Sequence, residues 1–256
     1  MANKIKAVLI DLSGTLHIDS SIIPGAVEAL NRLRRTNLLI KFVTNTTKES
    51  KSILYNRLKN LGFDIKKDEI FSSLAAARET IISRQLNPQL LLDSNAMEDF
   101  EDLIKEGIPN AVVVGLAPDK FHYEELNKAF RLLLDGASLI AIHEGRYYKR
   151  SDGLALGPGA FVKGLEYSAK VKAEVIGKPT PAFFKAALKD IPPEAAIMIG
   201  DDVVDDVAGA QGIGMRGFLV QTGKYRAGDE NSITPAPSRV CVSFVEAVEA
   251  IIQEIN

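Results

Sequence analysis

The chain contains no tryptophan and only one cysteine in 256 residues. A single thiol cannot form an intrachain disulfide, so the fold must rest on an apolar core, and a reducing compartment, the cytoplasm, is the expected setting. That residue, Cys241, stands in the strand-like run "SRVCVSF" with no histidine close by in sequence. It reads as a packed core thiol rather than a nucleophile. Charge of one sign is also missing: 31 Lys and Arg oppose 33 Asp and Glu, for a net charge of −2. Such a balance offers no field to recruit nucleic acid or an anionic membrane. The short basic clusters "RLRR" (32–35) and "YYKR" (147–150) read as solvated faces. No stretch approaches the roughly 20 apolar residues of a membrane span. The opening "MANKIKAVLID" has too short an apolar run for a secretion signal, and without one the sequon "NTT" at 45–47 carries no meaning. Internal repeats and low-complexity tracts are absent as well.

What is present is a series of short apolar runs separated by helical patterns. "KAVLID", "LLIKFVTN", "KAEVIGK", "AAIMIGDD" and "RGFLVQTG" lack period-two alternation, as suits strands of a parallel sheet covered on both faces. Between them, "TTKESKSILYNRLKNLG" begins with a capping box from Thr46 to Glu49 and stops at Gly62. "TPAFFKAALKD" places Thr180 as N-cap and Pro181 in the first turn, with Phe184, Ala187 and Leu188 on one face. "SFVEAVEAIIQEI" opens with a capping box from Ser243 to Glu246. This alternation predicts an α/β fold, a doubly wound parallel-sheet core of Rossmann type. The middle of the chain has its own strand–helix–strand series, "LLLDSN", "AVVVGL", a helix near 122–135 and "SLIAIH". A smaller α/β cap inserted at 77–160, within a core of 1–76 and 161–256, is therefore expected.

Several runs end on polar residues: Asp11, Thr44–Asn45, Lys178, and Asp201–Asp202. The carboxyl ends of parallel strands share one edge of the sheet, and ligands bind in the crevice where strand order reverses. Residues far apart in sequence can thus meet in one pocket. Paired carboxylates repel unless a cation lies between them, and Mg²⁺ favours oxygen ligands. A carboxylate beside such an ion can attack phosphorus and form an acyl phosphate, while a lysine and hydroxyl or amide donors hold phosphoryl oxygens. In "DLSGTL" (11–16), Gly14 allows close backbone approach.

Together, "DLSGTL", "VTN", "GKP" and "GDDVVDD" resemble the four motifs of the haloacid dehalogenase-like hydrolase superfamily, in order. The insert of about 95 residues between the second and third resembles the cap of its NagD-like, nitrophenylphosphatase-type branch. The resemblance implies a Mg²⁺-dependent phosphohydrolase acting on a small phosphorylated substrate. It implies Asp11 as nucleophile and metal ligand, Ser13 ligating metal through its carbonyl, and Asp201 as the acidic ligand of the last motif. Leu12, Ser13, Thr44, Asn45 and Lys178 would bind the phosphate, Asp206 would lie in the outer metal shell, and the cap would form a homodimer. Asp202 and Asp205 are left as exposed acids at a helix start.

Most phosphatases of this superfamily have aspartate where this chain has Ser13. That acid protonates the leaving group, a contribution on the order of 10²–10⁴-fold. Its loss leaves two readings open: a phosphohydrolase for substrates that need less acid help, such as P–N or pyrophosphate bonds, and a non-enzymatic phosphate-binding protein that keeps the pocket. A receiver-like phosphoacceptor does not suit the length and the insert. The dehalogenase branch dispenses with metal and does not suit the acids of "GDD". His17 reads as a loop residue, His122 and His143 as surface or packing residues, and Tyr147–Arg150 either faces the substrate or forms an exposed hairpin. "GIGMRG" (212–217) copies a dinucleotide fingerprint but precedes a strand instead of opening a helix, so helix capping is the better account. "LGPGA" (156–160) lacks the lysine of a phosphate-binding loop and reads as the hinge back to the core.

Overall fold

The computed structural model describes residues 5–255. The first four residues of "MANKIKAVLID", part of the expectation about a secretion signal, lie outside them, as does Asn256. In chain order the first elements are β1 (Ala7–Ile10), a hairpin of β2 (His17–Ile18) and β3 (Ser21–Ile22), α1 (Ala26–Leu33), β4 (Leu39–Thr44), α2 (Lys51–Asn60), β5 (Ile70–Ser72) and α3 (Ser73–Ser83). Next come β6 (Pro88–Leu91), β7 (Ala111–Val114), α4 (Tyr123–Leu134), β8 (Ser138–Ala141), a hairpin of β9 (Tyr147–Arg150) and β10 (Gly153–Leu156), α5 (Gly159–Ala169) and β11 (Glu174–Val175). The last part holds α6 (Pro181–Leu188), β12 (Ala196–Gly200), a π-helical turn (Val203–Ala208) running into α7 (Gly209–Gln211), β13 (Arg216–Val220), β14 (Arg239–Cys241) and α8 (Phe244–Ile255).

Six strands form one parallel sheet in the order β14-β13-β12-β1-β4-β5. The chain builds outward from β1 on one side, then returns to its other side with β12. The strand order therefore reverses between β1 and β12. All four residues of β1 are buried. Val8 and Ile10 pack into a core with α1 and α8, whereas Ala7 and Leu9 pack into a second core with α6. Two apolar layers explain the absence of alternation in these runs. Cys241 is buried in the first of these cores, and burial pushes its thiol up to about 11.

The second sheet is smaller and also parallel, in the order β11-β8-β7-β6. Here the expectation needs correction. "KAEVIGK" is not a strand of the larger sheet; Glu174–Val175 pairs with Ile140–Ala141 of β8. Helix α5 joins the same layer, burying Val162 and Leu165 with Val112 and Val114. Sheet pairing thus places Glu174–Val175 with the smaller sheet. The reason is local: a two-residue strand that follows a helix has too little pattern to reveal which sheet it joins. Gly159 opens α5 rather than a hinge to the core. Similarly, α2 begins at Lys51, with Ser50 accepting from the amide of Ile53, so the cap is Ser50 and not Thr46. "GIGMRG" does follow α7 and runs into β13, with Gly214 at φ +95°. No helix among the described residues is long and apolar enough to cross a membrane.

Candidate active site

Register determines what meets at the reversal point. Ile10 lies beside Ile199, and the amide of Asp11 donates to the Ile199 carbonyl at 2.9 Å. The next side chains on the two strands, Asp11 and Asp201, are thereby delivered to the same crevice. The loop after β1 is tightly wound: the Leu12 carbonyl accepts amides from Thr15, Leu16 and His17. Gly14 sits at φ +95°, and a Cβ there would lie 2.0 Å from the Asp201 carboxylate. Gly223 closes from the other side, where a Cβ would lie 2.1 Å from the same carboxylate. Two glycines thus let backbone press against Asp201.

Lys178 reaches the crevice from the β11–α6 connection, not from the end of a core strand. Its ammonium lies 2.6 Å from both Asp11 Oδ1 and Asp206 Oδ1 and donates to the Val43 carbonyl at 3.2 Å. Asn45 braces it: the side-chain amide donates to the Lys178 carbonyl and accepts the Lys178 amide, each at 3.0 Å. Thr44 is buried and exchanges hydrogen bonds with Thr46, and Thr15 donates to Asp11 Oδ2 at 3.4 Å. Ser13 is exposed on the cavity wall, but Leu12 places its side chain wholly in the core and offers the crevice only main chain.

Asp11, Asp201 and Asp206 present ligand oxygens within 4.8 Å of one another, all buried. Three buried carboxylates face one intimate ammonium, so electrostatics is strained in the direction that favours protonation. Burial, reinforced by Asp11 and Asp206, holds Asp201 well above the usual carboxylate range, against the pull of Lys224. Burial pushes Asp206 up to about 7 despite Lys178. Lys178 is held charged: burial opposes its charge, but Asp11 and Asp206 overcome that and raise it. A divalent cation with oxygen preference would relieve the excess, and the all-carboxylate donor set fits magnesium.

Asp202 and Asp205 are not the exposed acids expected. Asp202 caps the π-helical turn through the amides of Val204 and Asp205 and pairs with the Lys224 ammonium. Asp205 is half-buried, and burial together with Asp202 pushes it up to about 7. Lys224 itself escaped the sequence reading. Its amide donates to Asp201 at 2.8 Å, and it follows β13 in "FLVQTGK", a strand end on the same sheet edge. Extending the strand-end argument to a fifth strand would have found it.

Above the acids opens a cavity of about 500 Å³ that also reaches the smaller sheet. β9 and β10 form a hairpin whose Tyr147, Tyr148 and Lys149 line the cavity, while Arg150 is exposed and pairs with Asp152. The hairpin is tied to the core by Asp19, whose carboxylate accepts the Ser151 amide at 2.9 Å. Lys48 adds a second tie, with its ammonium 4.7 Å above the Tyr148 ring. His143, expected as a packing residue, also lines the cavity, whereas His122 precedes α4 elsewhere.

Comparison with known proteins matches this chain to a family model described as haloacid dehalogenase-like hydrolase over residues 8–106, and to a HAD-hydrolase-like model over 175–247. It is 60% identical to haloacid dehalogenase-like hydrolase domain-containing protein 2 of Bos taurus, over 98% of this chain and 97% of the relative. It is 41% identical to the human (Homo sapiens) phospholysine phosphohistidine inorganic pyrophosphate phosphatase, over 98% and 96%. Among solved structures, the 4-nitrophenylphosphatase of Thermotoga maritima superposes with a TM-score of 0.88 at 28% identity, covering 98% of each chain.

Proposed function

The chain belongs to the haloacid dehalogenase-like hydrolase family and is a phosphatase of that type, and on that premise we propose that it is a Mg²⁺-dependent phosphohydrolase working through an aspartyl-phosphate at Asp11. The observation that carries this reading is the buried cluster in which the Lys178 ammonium bridges Asp11 and Asp206 beside Asp201. Asp11, Asp201 and the Ser13 carbonyl would hold the ion, with Asp206 behind them. Bound there, magnesium supplies charge neutralisation for the phosphoryl group.

The steps then follow from the chain's own groups. Lys178 orients Asp11 Oδ1 and contributes positive charge where the phosphoryl oxygens gather. An Asp11 carboxylate oxygen attacks phosphorus; the bond to the leaving group breaks and that group departs with the electron pair. Water then hydrolyses the acyl phosphate, releasing phosphate and restoring Asp11. Thr44, at the end of the neighbouring strand β4, supplies a hydroxyl. Asn45 keeps Lys178 in register through its main chain.

The Ser13 hydroxyl is too weak an acid to protonate a leaving group at neutral pH, so substrates with good leaving groups are favoured. An imidazole has a reference pKa of about 6.5, and a phosphate is a better leaving group than an alkoxide. The relative named for phospholysine, phosphohistidine and pyrophosphate supports this choice of P–N or pyrophosphate bonds. The reading extends to a cytoplasmic homodimer, supported by exposed Tyr123 and Tyr167 on the smaller unit and checked by sedimentation velocity. A phosphate-release screen over phosphohistidine, pyrophosphate, nitrophenyl phosphate and sugar phosphates tests the function. Release by the wild type with Mg²⁺, lost in Asp11→Asn by at least 10³-fold, is the expected result. Equal release from both proteins on every compound would refute it.

A further inference from the structure

We propose that His143 is a catalytic hydrogen-bond donor, its Nε2–H meeting the leaving group of the substrate and replacing part of the help that Ser13 cannot give. This rests on the phosphohydrolase reading above. Three observations lead to it. First, the position is rigid. His143 is the second residue after β8, next to Ile142, whose amide donates to the Val114 carbonyl and whose carbonyl accepts from Gly177, the residue before Lys178. Second, the tautomer is set by the surroundings: the Gly145 amide donates to His143 Nδ1 at 3.2 Å, which leaves the proton on Nε2. That Nε2 has no protein partner among the described residues, yet it is not one of the sealed, unpartnered atoms, and the residue lines the cavity. His17, by contrast, has its Nε2 sealed in the protein.

Third, the direction fits. The attacking and leaving oxygens of a phosphoryl transfer lie roughly in line. With Asp11 attacking from the larger sheet, the leaving group points toward the smaller sheet, and His143 hangs from that side. Burial and the nearby Lys224 and Lys178 hold His143 down at about 3, against Asp202. The imidazole is therefore neutral and keeps its proton throughout; the leaving group takes its own from water. A neutral histidine donor of this kind stabilises developing negative charge.

A series of aryl phosphates with leaving groups of graded pKa tests the proposal. His143→Phe is expected to lower kcat/KM by on the order of 10²-fold for the most basic leaving group and by progressively less for acidic ones, giving a steeper dependence on leaving-group pKa. His143→Gln, which restores an N–H donor, should recover part of the loss. An equal loss across the series, or none, overturns the proposal. Should the wild type release no phosphate, the hydrolase reading falls, and calorimetry decides the contact separately. Phenyl phosphate titrated into Asp11→Asn should bind about 10-fold more tightly than into Asp11→Asn with His143→Phe, a ratio worth about 1.4 kcal/mol. Equal binding, or no binding to either protein, overturns the contact.

Discussion

At the scale of single residues, Lys178 carries the largest burden. Its ammonium is the shared partner of two buried carboxylates. Removing one member of such a group leaves uncompensated charge in a dry site, which costs about 3–5 kcal/mol. Lys178→Met is therefore expected to lose activity and to lower the urea midpoint measured without Mg²⁺; an unchanged midpoint would contradict the pairing. The titrating groups predict a pH dependence whose sign follows from proton uptake. Asp205 and Asp206 stand at about 7 in the fold against the ordinary aspartate value of 3.8, so the native state holds more protons than the unfolded chain between these values. Stability from them is present below the unfolded value and lost as pH rises through about 7. His17 and His143, lowered to about 4 and about 3 from 6.5, act oppositely, because the unfolded chain holds the extra protons in their window. Above pH 6.5 the histidines no longer contribute and the acids alone remain. Metal-free protein should thus lose stability between pH 6.5 and 8 in urea titrations, and Mg²⁺ should remove that slope. Asp11 and Asp201 were legible in sequence because the ends of core strands share an edge, whereas Lys178, read as another such end, arrives from the β11–α6 connection. Lys224 and His143 were missed: neither bears a motif, and while Lys224 follows the end of a core strand, His143 is brought to the cavity by packing alone.

At the scale of elements, the β9–β10 hairpin is joined to the core by few contacts. The Asp19 carboxylate holds the Ser151 amide, and Asp19 adopts a left-handed φ of +47° to do so. Asp19→Ala should release the hairpin, with faster amide exchange confined to 147–156 and a several-fold higher KM, while kcat changes little. Uniform exchange across the chain would show instead that the loop has failed to fold. The start of α2 is a second case. Ser50 caps it through the Ile53 amide, and the same hydroxyl donates to Glu98 of the segment after β6. Ser50→Ala is expected to cost about 1 kcal/mol, read from chemical denaturation. The sequence pointed to Thr46 because the capping-box pattern is local, whereas the choice of Ser50 depends on a partner 48 residues away.

At the scale of the whole molecule, the site exists only when two distant stretches of the larger sheet and one connection from the smaller sheet assemble. Any ion that binds this cluster binds the folded state alone, so it stabilises the entire chain. Mg²⁺ at about 100 times its Kd should add about 2.7 kcal/mol, seen as a rise in Tm. Asp201→Asn should abolish the rise; a rise of equal size in that variant would place the ion elsewhere.

By itself the sequence determined the α/β class, the doubly wound core and the set of acids at its edge. Those depend on hydrophobic pattern and on strand polarity, both of which are properties of neighbouring residues in the chain. Only the tertiary structure decided that β11 joins the smaller sheet, that Asn45 is spent on bracing Lys178, and that His143 opens on the cavity. Each of these turns on which of several available hydrogen-bond partners a group meets in space. That choice is made by packing between segments up to 133 residues apart, where no local pattern reaches.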